Sequence, residues 1–138
     1  MKNILVVSLL LFLIGSVSYA MQPSLLFGIR DGAAFGIIAD QYLGANAGLR
    51  FGVEANSSDR PLILFAGGRF YLTHLGKRSS LGLGVGVVNY SGGNSSDTGL
   101  SLSLIFDRVF DGAPRLFIES GLDLGSKTKL QLQMGYKF

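Results

Sequence analysis

The sequence predicts an all-β protein, an eight-stranded antiparallel up-and-down β-barrel, and three observations support that fold class. Apolar and polar residues alternate with a period of two along most of the chain, as in strands that bury one face. Short clusters of Gly, Asn, Ser, Asp and Pro interrupt the alternation. Twenty of the 138 residues are glycine and only 15% are charged, whereas roughly 25% are charged in an average soluble domain.

The first twenty residues are predicted to be a secretory signal peptide. Lys2 supplies a positive start, residues 4–14 are apolar apart from Ser8, and small residues stand three and one before a cut after Ala20. A membrane anchor is disfavoured, because an apolar helix of about 11 residues, rising 1.5 Å per residue, is too short for roughly 30 Å of hydrocarbon. The predicted mature chain, residues 21–138, forms a single barrel domain.

The first four strands follow in order. Residues 24–30 and 33–42 flank Asp31-Gly32, a two-residue hairpin signal, and their register stays open at this point. Residues 49–55 alternate clearly and are predicted to be the third strand. The fourth, 61–72, is noisier, because Ile63 and Phe65 fall on the same face as a charged residue.

The last four strands show the clearest alternation. They are predicted over 81–87, 100–106, 116–124 and 130–138. The predicted connections lie at 43–45, 56–60, 73–79, 91–98, 108–114 and 125–128. Each strand with its connection takes about 15 residues, and strands of about ten residues tilted near 45° cross a bilayer. We therefore expect a transmembrane barrel in which neighbours pair as antiparallel hairpins.

Alternation does not by itself say which face points inward. Gly82, Gly84 and Gly86 share one face of the fifth strand; consecutive glycines facing water make poor strands, but eight strands leave an interior only wide enough for side chains. Charges on that face also balance, as expected where an unpaired charge is costly. We therefore predict an apolar face toward lipid and a polar lumen. The predicted lumen network is Arg50, Arg69, Lys129 and Lys137 with Glu54, Asp107, Glu119 and Asp123.

Aromatic residues gather where the even-numbered strands end. In a barrel whose termini share one side, these strands end on that side, so the pattern predicts an aromatic belt at a membrane interface. The predicted belt comprises Tyr42, Phe70, Tyr71 and Phe106.

The last strand carries a family resemblance. It alternates with an apolar or aromatic residue at every second position and ends on an aromatic residue: Leu130, Leu132, Met134, Tyr136 and Phe138. This pattern resembles the closing strand of bacterial outer-membrane β-barrel proteins, and with the signal peptide and eight strands the chain looks like the small barrels of the OmpA and OmpX type.

The resemblance implies a location and partners. It places the chain in the outer membrane of a Gram-negative bacterium, among outer-membrane lipid and lipopolysaccharide, with the closing strand as the insertion signal read by the barrel-assembly machinery. The chain departs from the family in its surface connections, predicted at only about 2, 5, 8 and 4 residues. Long surface loops, on which adhesion depends in the family, are therefore not expected.

Several function classes are excluded or disfavoured. The chain has no cysteine and one histidine, so thiol catalysis, disulfides, iron–sulfur sites and histidine-rich metal sites are ruled out. A net charge of +3 is too weak to indicate nucleic acid. Glu119 and Asp123 could serve as an acid–base pair, but in a filled lumen we expect salt bridges with Arg50, Arg69 or Lys129. We predict no enzyme activity and no cofactor.

The predicted function is that of an integral outer-membrane barrel, mainly structural, with short surface loops and a filled polar lumen. Three alternatives stay open: a narrow pore for small solutes, lined by small residues such as Gly84, Ser101 and Ser103; a surface recognition module using residues 91–98; and a soluble periplasmic lipid-binding barrel with its faces reversed. A surface or periplasmic partner is left unidentified.

Two motifs have no part in the predicted function. Asn-Ser-Ser-Asp occurs at 56–59 and again at 94–97, which we interpret as turn chemistry used twice. His74, Lys77 and Arg78 form a basic connection on the predicted periplasmic side. We interpret it as a solvated turn, with contact to an anionic partner as the functional alternative. His74 is not followed by a His-x-Ser pattern like that of outer-membrane deacylases.

Overall fold

A computed structural model describes residues 21–138, and the predicted signal peptide, 1–20, lies outside the described residues. The strands are β1 (Met21–Arg30), β2 (Ala33–Tyr42), β3 (Ala47–Asn56), β4 (Leu62–His74), β5 (Ser80–Gly92), β6 (Ser95–Asp107), β7 (Leu116–Leu124) and β8 (Thr128–Lys137). Over the described range, no helix has the length and hydropathy needed to cross a membrane.

Each strand pairs antiparallel with the next, and β8 pairs with β1 to close the barrel. The predicted eight-stranded antiparallel up-and-down barrel is therefore confirmed. We call the end where β1 begins and β8 ends the lower end, and the opposite end the upper end.

The strands are staggered around the barrel. Following paired residues from Gln22 of β1 leads around to Lys129 of β8. Because Gln131 pairs with Arg30, Lys129 is level with position 32, ten residues further along the chain than the starting point. An offset of this kind requires the strands to tilt, by roughly 35–45° in barrels generally.

Two upper turns are tight. Asp31 and Gly32 both have positive φ, 56° and 119°, as a two-residue hairpin requires. The prediction of a connection over 91–98 was wrong, because β5 runs to Gly92 and β6 starts at Ser95, leaving Gly93 and Asn94 as the turn. Tyr90 and Asp97 face the lumen. Small polar residues such as Ser91, Ser96 and Thr98 continue the ladder here without an apolar alternation that would reveal it.

The two faces of the barrel differ in polarity. Ten of the eleven Asp, Glu, Lys and Arg residues of the described strands are buried on the inner face, and Lys137 is half-buried there. Outward positions are mostly apolar and exposed, with Leu130 at 70% and Leu100 at 57% exposure, and the polar ones, such as Ser96, Thr98 and Ser120, are uncharged. Among the described residues, no outward strand position carries a charge.

Apolar side chains fill the lumen between the charged ones. The buried cluster comprises Leu26, Ile38, Ile63, Phe65, Val88, Tyr90, Ile105 and Phe117. Glycine makes room for one of the aromatic rings: a Cβ at Gly135 would overlap the ring of Phe117 on the neighbouring strand. The interior is therefore a packed core of mixed polarity.

Candidate functional site

The upper half of the lumen is organised by Arg30, which is 1% exposed at the end of β1. Its Nε donates to Asp123 Oδ2 at 2.8 Å, its Nη1 to Glu54 Oε1 at 2.6 Å, and its Nη2 to Ser101 Oγ at 3.2 Å. One guanidinium thus joins β1, β3, β6 and β7 across the interior. The planar fork of arginine suits such several-sided contact with carboxylates.

Uncharged side chains complete the coordination of these carboxylates. The Tyr90 hydroxyl donates to Asp123, and the Gln133 amide donates to Glu54. Gln131 Nε2 in turn donates to Gln133 Oε1 at 2.8 Å. Such hydrogen bonds are what a buried carboxylate needs beyond its ion pair.

The lower half is organised by Arg50, which is fully buried on β3. Its Nε donates to Asp40 Oδ1 at 2.9 Å and its Nη1 to Glu119 Oε2 at 2.8 Å. Ser103 Oγ donates to the other Glu119 oxygen at 2.7 Å. Arg50 therefore links β2 to β7 through the barrel axis.

The lower network continues to the mouth of the barrel. Arg69 donates to Asp40 Oδ2 at 3.1 Å and also to Asp107. Lys137 Nζ donates to the second Asp107 oxygen. One carboxylate, Asp107, therefore serves two cations.

At the upper rim one carboxylate likewise lies beside two cations. Asp97 accepts from Lys129 Nζ at 2.7 Å and from the backbone N–H of Ser126 at 3.0 Å, and Arg60 Nη1 lies 3.8 Å away. Lys129 Nζ is 4.0 Å from the centre of the Tyr90 ring. The negative charge of Asp97 is thus compensated at the upper rim by these donors and cations.

All eight residues of the predicted lumen network lie on the inner face. Glu119 pairs with Arg50, and Arg69 and Lys137 pair with Asp107. Asp123 pairs with Arg30 instead of one of the three cations expected for it.

Sequence reasoning missed Arg30, Asp40, Asp97, Tyr90, Gln131 and Gln133, which complete the network. Arg30 and Asp40 lie an even number of residues from the buried Leu26 and Ile38 of their own strands, so they share the inward face. This spacing could have identified both residues had the inward face of the first two strands been assigned from the sequence.

The predicted aromatic belt residues all lie toward the lower end. Phe70 and Phe106 occupy outward positions, the first exposed and the second half-buried, whereas the exposed Tyr42 and Tyr71 border the cavity at the lower mouth of the lumen. On the closing strand, Leu130, Leu132 and Tyr136 point outward and are exposed, as is Phe138 beyond the strand end, whereas Met134 is half-buried. The rings of Tyr136 and Phe138 meet edge to face at 5.9 Å.

A cavity lies at each mouth of the barrel, and a further one at the lower end, bordered by Arg108, Arg115 and Lys137, adjoins the lower of the two. The lower mouth cavity, of about 260 Å³, is bordered by Arg69 and Lys137, and the upper one, of about 450 Å³, by Arg60 and Lys129. Arg50 and Arg30, with their carboxylates, border neither. Across residues 21–138, no group of three His, Asp or Glu side chains is placed to hold a metal ion.

Comparisons with known proteins agree with this architecture. No family model matches the chain, and no curated protein sequence matches it. The fold is similar to the crystal structure of the N-terminal β-barrel domain of Pseudomonas aeruginosa OprF, with a TM-score of 0.62 and 13% identity over 86% of this chain and 96% of that one. At this identity the likeness establishes the fold, so the chain has the closed eight-stranded antiparallel barrel of the OmpA type.

Proposed function

We propose that the chain is an integral protein of the outer membrane of a Gram-negative bacterium, with a structural role and a closed lumen. The observation that carries this proposal is the inverted polarity of the barrel. Every charged residue on the described strands faces inward, while the outward positions are uncharged and mostly apolar. An outer surface of this kind is suited to contact with the lipid of a membrane.

The dimensions of the barrel support the proposal. A strand of ten residues rising about 3.4 Å per residue and tilted near 45° covers roughly 24 Å along the membrane normal. The apolar band of outer-membrane barrels is about 25 Å tall. The similarity of the fold to the OprF barrel domain adds to this argument.

The soluble alternative needs an apolar interior, which this barrel does not offer. The lumen holds ion-paired side chains such as Arg30 and Arg50 among its apolar ones. A lipid chain placed there would separate charges whose removal from their partners costs about 3–5 kcal/mol each. A lipid-binding lumen is therefore disfavoured.

The filled lumen also supports a structural role over transport. Arg50 and Arg30 are 0% and 1% exposed and bridge opposite walls. The pore alternative is favoured by one observation, the polar cavities at both mouths. We expect purified protein in planar bilayers to give no channel events, whereas discrete conductance steps would establish the pore instead.

The surface recognition alternative loses its main support. The segment proposed for it, 91–98, contributes only Gly93 and Asn94 outside the strands. A two-residue turn offers little contact area to a partner.

Membrane fractionation and gel mobility test the proposal together. We expect the protein to resist carbonate extraction, to dissolve in detergent, and to run at a different position before and after boiling. Release into carbonate buffer without detergent would contradict the membrane assignment. A single band at the unfolded position in both samples would contradict the stable closed barrel.

A further inference from the structure

The lower cavity is unusual in its charge. Arg69, Arg78, Arg108 and Lys137 all line it, and Asp107 is the one carboxylate among the described residues that do so. Its volume of about 260 Å³ compares with roughly 30 Å³ for one water molecule in the liquid. There is therefore room for a phosphate group and part of what it is attached to.

The single carboxylate does not neutralise these cations. Asp107 already accepts from both Arg69 and Lys137. Neither Arg78 nor Arg108 forms an ion pair with any described residue. Two guanidinium groups are thus left with their full charge beside one cavity, and a guanidinium is well matched to phosphate oxygens.

The backbone holds the two arginines at the mouth. Arg108 has a φ of 54°, a conformation that residues other than glycine rarely adopt. Ser79 Oγ donates to its carbonyl oxygen at 2.8 Å. Ser79 directly follows Arg78, and its own carbonyl accepts from the N–H of Leu75 at 2.9 Å. A strained position kept by contacts of this kind is typical of binding sites.

We propose that this lower mouth binds a phosphate group, and that the phosphate belongs to the headgroup of an anionic lipid. Arg78 and Arg108 contact the phosphate, and Tyr42, Tyr71 and His74 form the wall of the site. Tyr71 and His74 support each other edge to face, with ring centres 5.3 Å apart.

The surroundings favour a lipid over a soluble anion or a peptide carboxylate. Leu43, Leu75, Val109 and Phe110 are exposed by 39–64% in the same three connections. Apolar and cationic side chains side by side suit the boundary between headgroups and acyl chains. This source for the phosphate rests on the proposed membrane location, whereas the phosphate site itself does not.

The test measures binding to the folded barrel in micelles of an uncharged detergent, with folding checked by gel mobility before and after boiling. The probes for calorimetric titration are dihexanoyl phosphatidylglycerol, dihexanoylglycerol with the same chains but no phosphate, sodium phosphate and sodium acetate. The variant is Arg78→Gln with Arg108→Gln. Its matched control is Arg60→Gln with Lys127→Gln, which removes two cations at the opposite, upper end of the barrel.

We expect saturable binding of the phosphatidylglycerol and none of the dihexanoylglycerol. Replacing both arginines should weaken binding of the phosphatidylglycerol at least about tenfold, because each replacement removes a charged hydrogen-bond donor. The control pair should change this binding less than about twofold. Arg78→Gln alone, in an exposed turn, gives an intermediate loss and serves if the double variant does not fold.

Equal weakening in both pairs, or no saturable binding by the wild type, would overturn the site. Sodium phosphate binding as tightly as the lipid would overturn the lipid source in favour of a soluble phosphate compound. Acetate binding more tightly than phosphate would overturn the phosphate chemistry in favour of a peptide carboxylate. Failure of the proposed membrane function would appear separately, as protein released by carbonate while phosphate still binds.

Discussion

The two ends of the barrel are built differently although the same eight strands connect them. The upper connections have two, five, two and three residues, and their charges cancel: Asp31 and Asp59 with Arg60 and Lys127. The lower connections have four, five and eight residues and carry Lys77, Arg78, Arg108 and Arg115 against Asp111. Their exposed apolar residues have no counterpart in the upper connections described here.

The difference extends into the lumen below each end. At the upper rim one carboxylate, Asp97, accepts from Lys129 and from a backbone N–H, with Arg60 beside it. At the lower mouth one carboxylate, Asp107, holds two cations while two more remain unpaired. The charges at the upper end thus compensate one another, whereas the lower end keeps an excess of positive charge that an anionic ligand would neutralise.

The largest effect is expected from removing the carboxylate at each mouth. Asp107→Asn leaves Arg69 and Lys137 facing each other in a mouth that is already positive, and should cost about 3–5 kcal/mol. Asp97→Asn leaves Lys129 without its carboxylate, but at an end of the barrel where the charges of the connections cancel, and should cost about 1–3 kcal/mol. Urea unfolding in micelles measures both, with Asp111→Asn in an exposed loop as control. Equal costs at the two mouths would argue against the asymmetry.

The next effect locates the upper limit of the apolar band. Leu102 and Ser96 are outward residues of the same strand, β6, one near its middle and one beside the upper turn. Leu102→Arg should cost roughly 2–4 kcal/mol and Ser96→Arg at most about 1 kcal/mol. The free energy of unfolding in lipid vesicles is the measurement. A Leu102→Arg cost near zero would mean that the outward face does not contact lipid.

A smaller effect is expected for the aromatic belt. Phe70→Ser, at an exposed outward position near the lower end, should cost about 1 kcal/mol of unfolding free energy in vesicles, because the ring loses its place at the interface. Thr98→Ser, an outward position near the upper end, is the matched control and should be nearly neutral. The two variants having equal cost would indicate that the lower end does not lie at a membrane interface.

The smallest effect on stability is expected for Phe138. Its backbone N–H donates to the Pro23 carbonyl at 3.2 Å, and its exposed ring packs only against Tyr136 among aromatic neighbours. Deletion should change the unfolding free energy by less than about 1 kcal/mol but slow assembly in cells, measured by pulse-labelling and gel mobility. Normal assembly kinetics would contradict the prediction that Phe138 is part of an insertion signal.

Much of the fold could be predicted because a period of two reveals both a strand and its faces. The last four strands, the closure and the Asp31-Gly32 turn were accessible in this way. The β5–β6 turn was not, because Ser91, Ser95 and Thr98 extend the ladder without an apolar alternation.

The pairing of charged residues in the lumen could not be predicted from the period-of-two alternation. Alternation places a residue on a face, but its partner depends on the stagger of the closed sheet. Arg30 and Asp123 are 93 positions apart and meet across a lumen whose geometry no local pattern specifies. The charge balance predicted that pairs exist and could not assign them.

The pairing of β1 with β8 has a consequence for how the chain acquires its structure. The first and last strands are the two edges of the open sheet, and each keeps a row of unpaired N–H and C=O groups until the other arrives. Such groups are not tolerated in hydrocarbon. In the membrane location proposed above, insertion and closure therefore form a single cooperative event that waits for β8, and the rate of that event is governed by the pairing of the first described strand with the last.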